Sequence, residues 1–402
     1  MELKNNGEIT NGQHYMFTDS FVQNPYPIYK KLREEAPIYK TILPGGMHSW
    51  LITRHEDASE LLKDSRFIKD YTKLFDEPTS HTSIFTQNML FSDPPDHKRL
   101  RGLVQKAFTP KMIEGMRDRI QEITDELLDD VKGKGKLNLI DDLAFPLPII
   151  VICEMLGVPS KDREKFRIWS NSLIESGTAE SFEEVGQHMS EFIAYLGSWF
   201  AQLRDNPCEG MINDLIHAED DGEKLSGEEL YGLVSLLIIA GHETTVNLIG
   251  NGILSLLEFP EQLDKLKNNP ELISTAIEEL LRFNGPVEFS TDRWAGEDLI
   301  FRNVEFKRGD HVIVALNSAN RDSQVFKDPD ILDITREKSQ HLAFGKGIHL
   351  CLGAPLARLE GEIAINTLLN RMPDIRLAID PDELQWRPGM IVRGVKEIPL
   401  VF

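Results

Sequence analysis

The chain has 402 residues, 41% of them hydrophobic and 27% charged, with a net charge of −21. This is the composition of a globular protein with ample material for a core, and its acidic balance excludes general nucleic-acid affinity, which needs clustered cations. Cys153, Cys208 and Cys351 are too few and too scattered for a disulfide framework, so a reducing, cytoplasmic setting is expected.

The N-terminal "MELKNNGEITNGQHYMF" is polar and lacks the apolar core of a signal peptide. Residues 1–20 are expected to form a flexible segment. No stretch reaches about 18 uninterrupted apolar residues, so no membrane span is expected. No Ser/Gly or Pro-rich linker interrupts the chain, and residues 1–402 read as a single domain.

The predicted elements begin with a helix over 25–35, followed by two strand-like runs in "APIYKTILPGGMHSWLITR" (36–54) that form a hairpin around Pro44-Gly45-Gly46. From about 55 to 284 the signals are almost all helical. Met112, Met116, Ile120, Ile123 and Leu127 show the characteristic three- and four-residue spacing. Strand signals return in 297–316 and again in 389–402. With no strand–helix alternation, the fold class is mainly α with a minor β region.

Residues 226–258 read as one long helix, opened by a Ser226/Glu229 capping box and stopped at Pro260. A helix of that length crosses the core and ought to be apolar throughout, yet its centre reads "AGHETTV" (240–246). A buried glutamate is costly unless paired, and a threonine there can bond the preceding turn and open the helix locally. A zinc reading fails, because the second histidine of H-E-x-x-H falls on Val246. The plain alternative is that these polar residues face solvent or a neighbouring helix. One helix later, "IEELLR" puts Glu279 and Arg282 on one face, the usual spacing of a weak surface ion pair.

"HLAFGKGIHLCLGAPLAR" (341–358) sets Cys351 among glycines. It lacks the third glycine of a dinucleotide fingerprint, the Ser or Thr of a phosphate loop, and enough ligands for zinc. A buried, inert thiol is the bland reading. A thiolate ligand to haem iron uses the whole pattern: Phe344, Gly345, Gly347, His349, Cys351 and Gly353 fill F-G-x-G-x-H-x-C-x-G, and a helix starting just after the cysteine favours thiolate over thiol.

With these motifs the chain resembles the cytochromes P450, soluble bacterial haem-thiolate monooxygenases, from about "NPYPIYKKLREEAP" (24–37) to "VRG" (392–394). The resemblance implies that fold, haem b as cofactor, and Cys351 as the axial ligand to its iron, a thiolate that favours O–O cleavage. Glu243 and Thr244 fall on the oxygen-activating acid–alcohol pair, Thr244 to hold dioxygen and a water, Glu243 to relay protons. Glu279 and Arg282 fall on the E-x-x-R motif, with Arg336 as its partner. His97 and Arg101 in "DPPDHKRLR", with Arg293 and His349, fall on the haem-propionate contacts.

The implied reaction inserts one atom of O2 into a hydrophobic small molecule of polyketide, terpenoid, steroid or fatty-acyl type. Ala240, Val287, Phe289 and Ile391, with stretches around 84–91 and 170–180, are the candidate pocket walls. No flavin or iron–sulfur motif is present, so electrons are expected from a ferredoxin or flavodoxin. Lys98, Arg99, Arg101, Lys106, Lys346 and Arg358 offer a basic docking patch. A non-catalytic haem sensor and a peroxide-driven peroxygenase are the alternatives; neither needs the Glu243–Thr244 pair.

Overall fold

The computed structural model describes residues 16–75, 84–166, 168–169, 182–217, 219–220, 223–337 and 340–402. The helix Gly227–Glu258 runs through the centre of the fold, about 48 Å at 1.5 Å per residue. Its start is fixed by a complete capping box: Glu229 N donates to Ser226 Oγ at 3.1 Å, and Ser226 N donates back to Glu229 Oε2 at 2.8 Å. Among the described helices it alone is long and apolar enough to cross a membrane, but 72% of its most apolar window is buried inside the fold, the mark of a core helix. The helices Pro146–Leu156, Ile273–Phe283 and Ala354–Arg371 pack around it. At Gly361 the last of these lies close against Leu248 and Ile277.

A five-stranded sheet sits beside this helical body, its strands ordered Ile38–Ile42, His48–Ile52, His311–Val314, Arg293–Ala295 and Phe67–Ile68. The first two form the antiparallel hairpin around Pro44-Gly45-Gly46, and His48–Ile52 then pairs in parallel with His311–Val314, Trp50 opposite Val312. The sheet's apolar faces make two further clusters, one around Trp50, Phe67 and Phe306, the other around Tyr29, Leu51 and Phe289. A small sheet of Arg376–Leu377, Pro399–Val401 and Lys136–Asn138 carries the C-terminal strand signal.

Two expectations need correction here. Residues 16–20 are not a flexible tail: Met16 is buried, Phe17 packs on Phe21 and Phe289, and Thr18 caps the helix Asp19–Gln23. Residues 1–15 lie outside the described residues. The central helix is also not opened at its polar centre. Thr244 Oγ1 donates to Ala240 O at 2.8 Å, yet the helix stays continuous from Gly227 to Glu258.

Candidate active site

The cysteine loop is shaped by its backbone. Gly345 (φ +70°) and Gly347 (φ +77°) are left-handed, and a Cβ on Gly347 would come within 2.8 Å of Leu62 O. Cys351 N donates to Phe344 O at 2.9 Å, closing the loop, while Arg358 lies over the Phe344 ring at 4.5 Å. The helix Ala354–Arg371 follows directly. Backbone N–H groups of Gly353 and Ala354 bond the Cys351 sulfur and favour its thiolate. Burial nevertheless outweighs them, together with the charges of Arg101 and Arg358, and the thiol is pushed up rather than down. The expected depression is therefore not a property of the loop alone. A thiolate this deep is stable only against a positive centre.

Cys351 is exposed rather than packed into the core. Ala240 is likewise accessible in the middle of an otherwise buried helix, with Thr244 half-buried one turn on. His242, Glu243 and Thr245 are buried, which removes the solvent-facing alternative for them. Glu243 Oε1 accepts from Arg387 Nη1 at 3.1 Å and from Asn247 Nδ2 at 3.2 Å.

His97, Arg101, Arg293 and His349 come together around the loop, joined by a residue the sequence reading missed, Lys69. The His97 and His349 rings lie 4.3 Å apart. Arg101 Nη2 donates to Leu350 O at 2.7 Å. Arg293 donates to Phe67 O and Leu62 O, and Lys69 to Thr291 Oγ1 and, at 2.8 Å, to Asp292 O.

Every member of the cluster is driven away from its charged form, first by burial. Lys69 falls to about 7, also under the charge of Arg293, and Arg293 itself falls to about 10. His349 falls to about 2, with Arg293, His97, Lys69 and Arg101 adding to burial. His97 and Arg101 are lowered as well. His97 Nε2, His349 Nε2 and Arg293 Nε are buried without a hydrogen-bond partner in the protein. Mutually repelling donors with orphaned nitrogens are a site short of negative charge. Set beside a thiol that needs a cation, they fit the two carboxylates and the metal of a haem.

Below the loop, Glu279 and Arg282 are no surface pair. They are 1% and 0% exposed, bonded at 2.7 and 2.8 Å, and Arg336 Nε reaches the same carboxylate at 3.0 and 3.1 Å. The neighbouring Glu278 ties this helix to His341 and to Arg358, at opposite ends of the loop.

The pocket candidates divide. Val287 is half-buried and bridged to Val392, and Glu288 N donates to Ile391 O, which brings Val287 beside Ile391, itself 45% exposed. Phe289 does not belong with them: it is 1% exposed, with its ring against Phe17 and Tyr29, because its strand position turns it into the N-terminal aromatic cluster. Of the two stretches, 84–91 is described and packs on the central helix, whereas 170–180 lies outside the described residues. The basic patch is also weaker than its sequence suggests. Arg99 pairs with Glu229 and Arg358 with Glu278, and Lys346 donates to Ser59 Oγ.

The family model described as Cytochrome P450 matches residues 11–165 and 180–372. A cytochrome P450 of Bacillus subtilis (strain 168) is 46% identical over 390 residues, 95% of each chain. The solved structure of the Bacillus subtilis 168 bacillaene polyketide synthase cytochrome P450 PksS superposes with a TM-score of 0.91 at 43% identity, covering 96% of this chain and 98% of that one. P450BioI, solved in complex with a hexadec-9Z-enoic acid ligated acyl carrier protein, gives 0.88 at 41% identity, covering 96% and 99%. A cysteine loop, a donor cluster and a polar-centred core helix, held in one fold with these relatives, make the chain a member of the cytochrome P450 family, haem-dependent oxidoreductases of the monooxygenase class.

Proposed function

We propose that the chain, as one domain over residues 1–402, is a cytoplasmic monooxygenase that uses haem b to insert one atom of O2 into a hydrophobic small molecule. The observation that carries this reading is the convergence of Cys351 with orphaned donors on His97, His349 and Arg293. When bound, the haem supplies dioxygen activation. Cys351 would hold its iron, and Phe344, Gly345 and Gly353 shape the loop that presents the sulfur. His97, Arg101, Arg293 and His349 would hold the propionates, with Lys69 as a further donor beside them.

The protein's own part in the chemistry is positional. Thr244, half-buried on the central helix with its hydroxyl proton given to Ala240 O, offers the hydroxyl oxygen as an acceptor, and Glu243 moves protons to that side. Ala240, Val287 and Ile391 are apolar walls that exclude water around the substrate. Glu279, Arg282 and Arg336 hold the loop's supporting helix. A buried acid beside a threonine favours this reading over a haem sensor or a peroxide-driven enzyme, neither of which needs a proton relay.

Electrons come from a ferredoxin or flavodoxin through its reductase. The substrate is of polyketide, terpenoid, steroid or fatty-acyl type, and relatives named for polyketide synthesis and for an acyl carrier protein complex support the acyl end of that range. The test is a ligand screen on the purified holoprotein: acyl and polyketide compounds are expected to drive a low- to high-spin shift. A library of these classes that leaves the spectrum unmoved contradicts the substrate assignment.

A further inference from the structure

The clamp on Glu243 comes from neither the central helix nor the cysteine loop. Arg387 stands at the base of a C-terminal segment closed by the Trp386–Val395 bridge and by Arg387 N donating to Gly394 O at 2.8 Å. That segment is pressed onto the central helix. A Cβ at Gly394 would overlap the Asn247 side chain, and Asn251 Nδ2 donates to Arg393 O at 2.9 Å. The same segment carries Ile391, one of the proposed pocket walls. The backbone that carries Arg387 is therefore held against the helix that carries Glu243.

The bond is one-sided. Arg387 Nη1 and Asn247 Nδ2 both donate to Oε1, while Glu243 Oε2 is buried with no hydrogen-bond partner among the described residues. Among the described residues Arg387 is the only charged side chain bonded to this carboxylate, and the Arg387 side chain is 26% exposed whereas that of Glu243 is 3% exposed. A carboxylate at such depth stays ionised only while a cation holds it; without one it takes up a proton. The guanidinium thus fixes which oxygen of Glu243 is left open.

We propose that Arg387 is the positioning residue of the proton relay: it anchors Oε1 of Glu243 and leaves Oε2 as the oxygen that accepts and passes on a proton. The inference rests on the reading of Glu243 as the relay acid, and the experiment separates the two.

Holoproteins carrying R387M, R387K, E243Q and the pair R387M/E243Q are compared with the parent. Infrared difference spectra should show a protonated-carboxyl band in R387M that is absent from the parent and from R387M/E243Q, and that R387K largely removes. With a surrogate ferredoxin and reductase and myristic acid as probe substrate, R387M should raise peroxide released per NADPH consumed roughly tenfold, to the level of E243Q, with recovery in R387K. Where R387M does not retain haem, R387Q, which keeps a donor without the charge, must show the same band. An R387M or R387Q protein with no new carboxyl band overturns the proposal. If E243Q couples like the parent, the relay role of Glu243 fails, while the infrared band still reports whether Arg387 controls its proton.

Discussion

Glu279 and Arg282 lie one turn apart on a single helix, joined at 2.7 and 2.8 Å with neither side chain more than 1% exposed. Arg282 also donates to Asn320 O and Pro329 O, and Arg336 closes the other side of the carboxylate while donating to Lys327 O. One glutamate therefore pins the 320–336 segment to the helix under the cysteine loop. Removing it strands the buried Arg282 and the half-buried Arg336, a defect worth about 3–5 kcal/mol. Glu279→Gln should lower the unfolding free energy by that amount, read as a lower urea midpoint at constant slope, and R336K should lower it by less. A Gln variant as stable as the parent would show that the cluster adds nothing.

The donor cluster makes a separate prediction about cofactor retention. His97→Ala removes a ring whose Nε2 is buried without a partner among the described residues, so the apoprotein should lose little stability, whereas Arg293→Leu also removes bonds to Phe67 O and Leu62 O and should cost more. Haem affinity should fall about tenfold or more for each. Transfer of haem to excess apomyoglobin measures this directly: faster loss from both variants is expected, and parental rates would remove these residues from the propionate site.

Glu360 supplies a pH test. It is fully buried on the helix behind Cys351, its pKa is raised to about 8 by burial against a weaker opposing bond from Thr245, and Oε2 has no partner. The folded state holds this proton where the unfolded chain has released it. Stability from Glu360 is thus complete below the ordinary glutamate range and is lost as pH rises toward 8, at no more than about 1.4 kcal/mol per pH unit. Glu360→Gln cannot titrate. Unfolding measured between pH 5 and 8 should fall less steeply for the Gln variant than for the parent, and parallel curves would contradict the assignment.

Thr244→Ala removes a hydroxyl that, among the described residues, bonds within its own helix turn, so stability should change by less than about 1 kcal/mol. Haem and substrate binding should persist while reducing equivalents are diverted to peroxide. Unchanged coupling would take Thr244 out of the mechanism.

Much of this architecture was legible locally. The capping box at Ser226, the glycine turns of the cysteine loop and the breaker at Pro260 each depend on neighbours within a few residues, and short-range patterns report such features. Residues that act across the fold were hidden. Lys69 and Arg387 sit in segments without any motif, and only the folded chain brings them to His349 and Glu243. The parallel pairing of Trp50 with Val312 spans most of the chain and leaves no local trace. Charge sums also misled: Arg99 and Arg358 looked free until Glu229 and Glu278 were found opposite them. Phe289 was assigned to the wrong neighbourhood because an apolar strand residue reads the same whether it faces a pocket or a core.

The central claim is the bond from Cys351 sulfur to haem iron, and the carbon monoxide difference spectrum of the reduced holoprotein tests it most directly. The parent should give the thiolate-ligated signature, and Cys351→Ser should bind haem without it. A parent protein lacking that signature, or a Ser variant retaining it, would contradict the account.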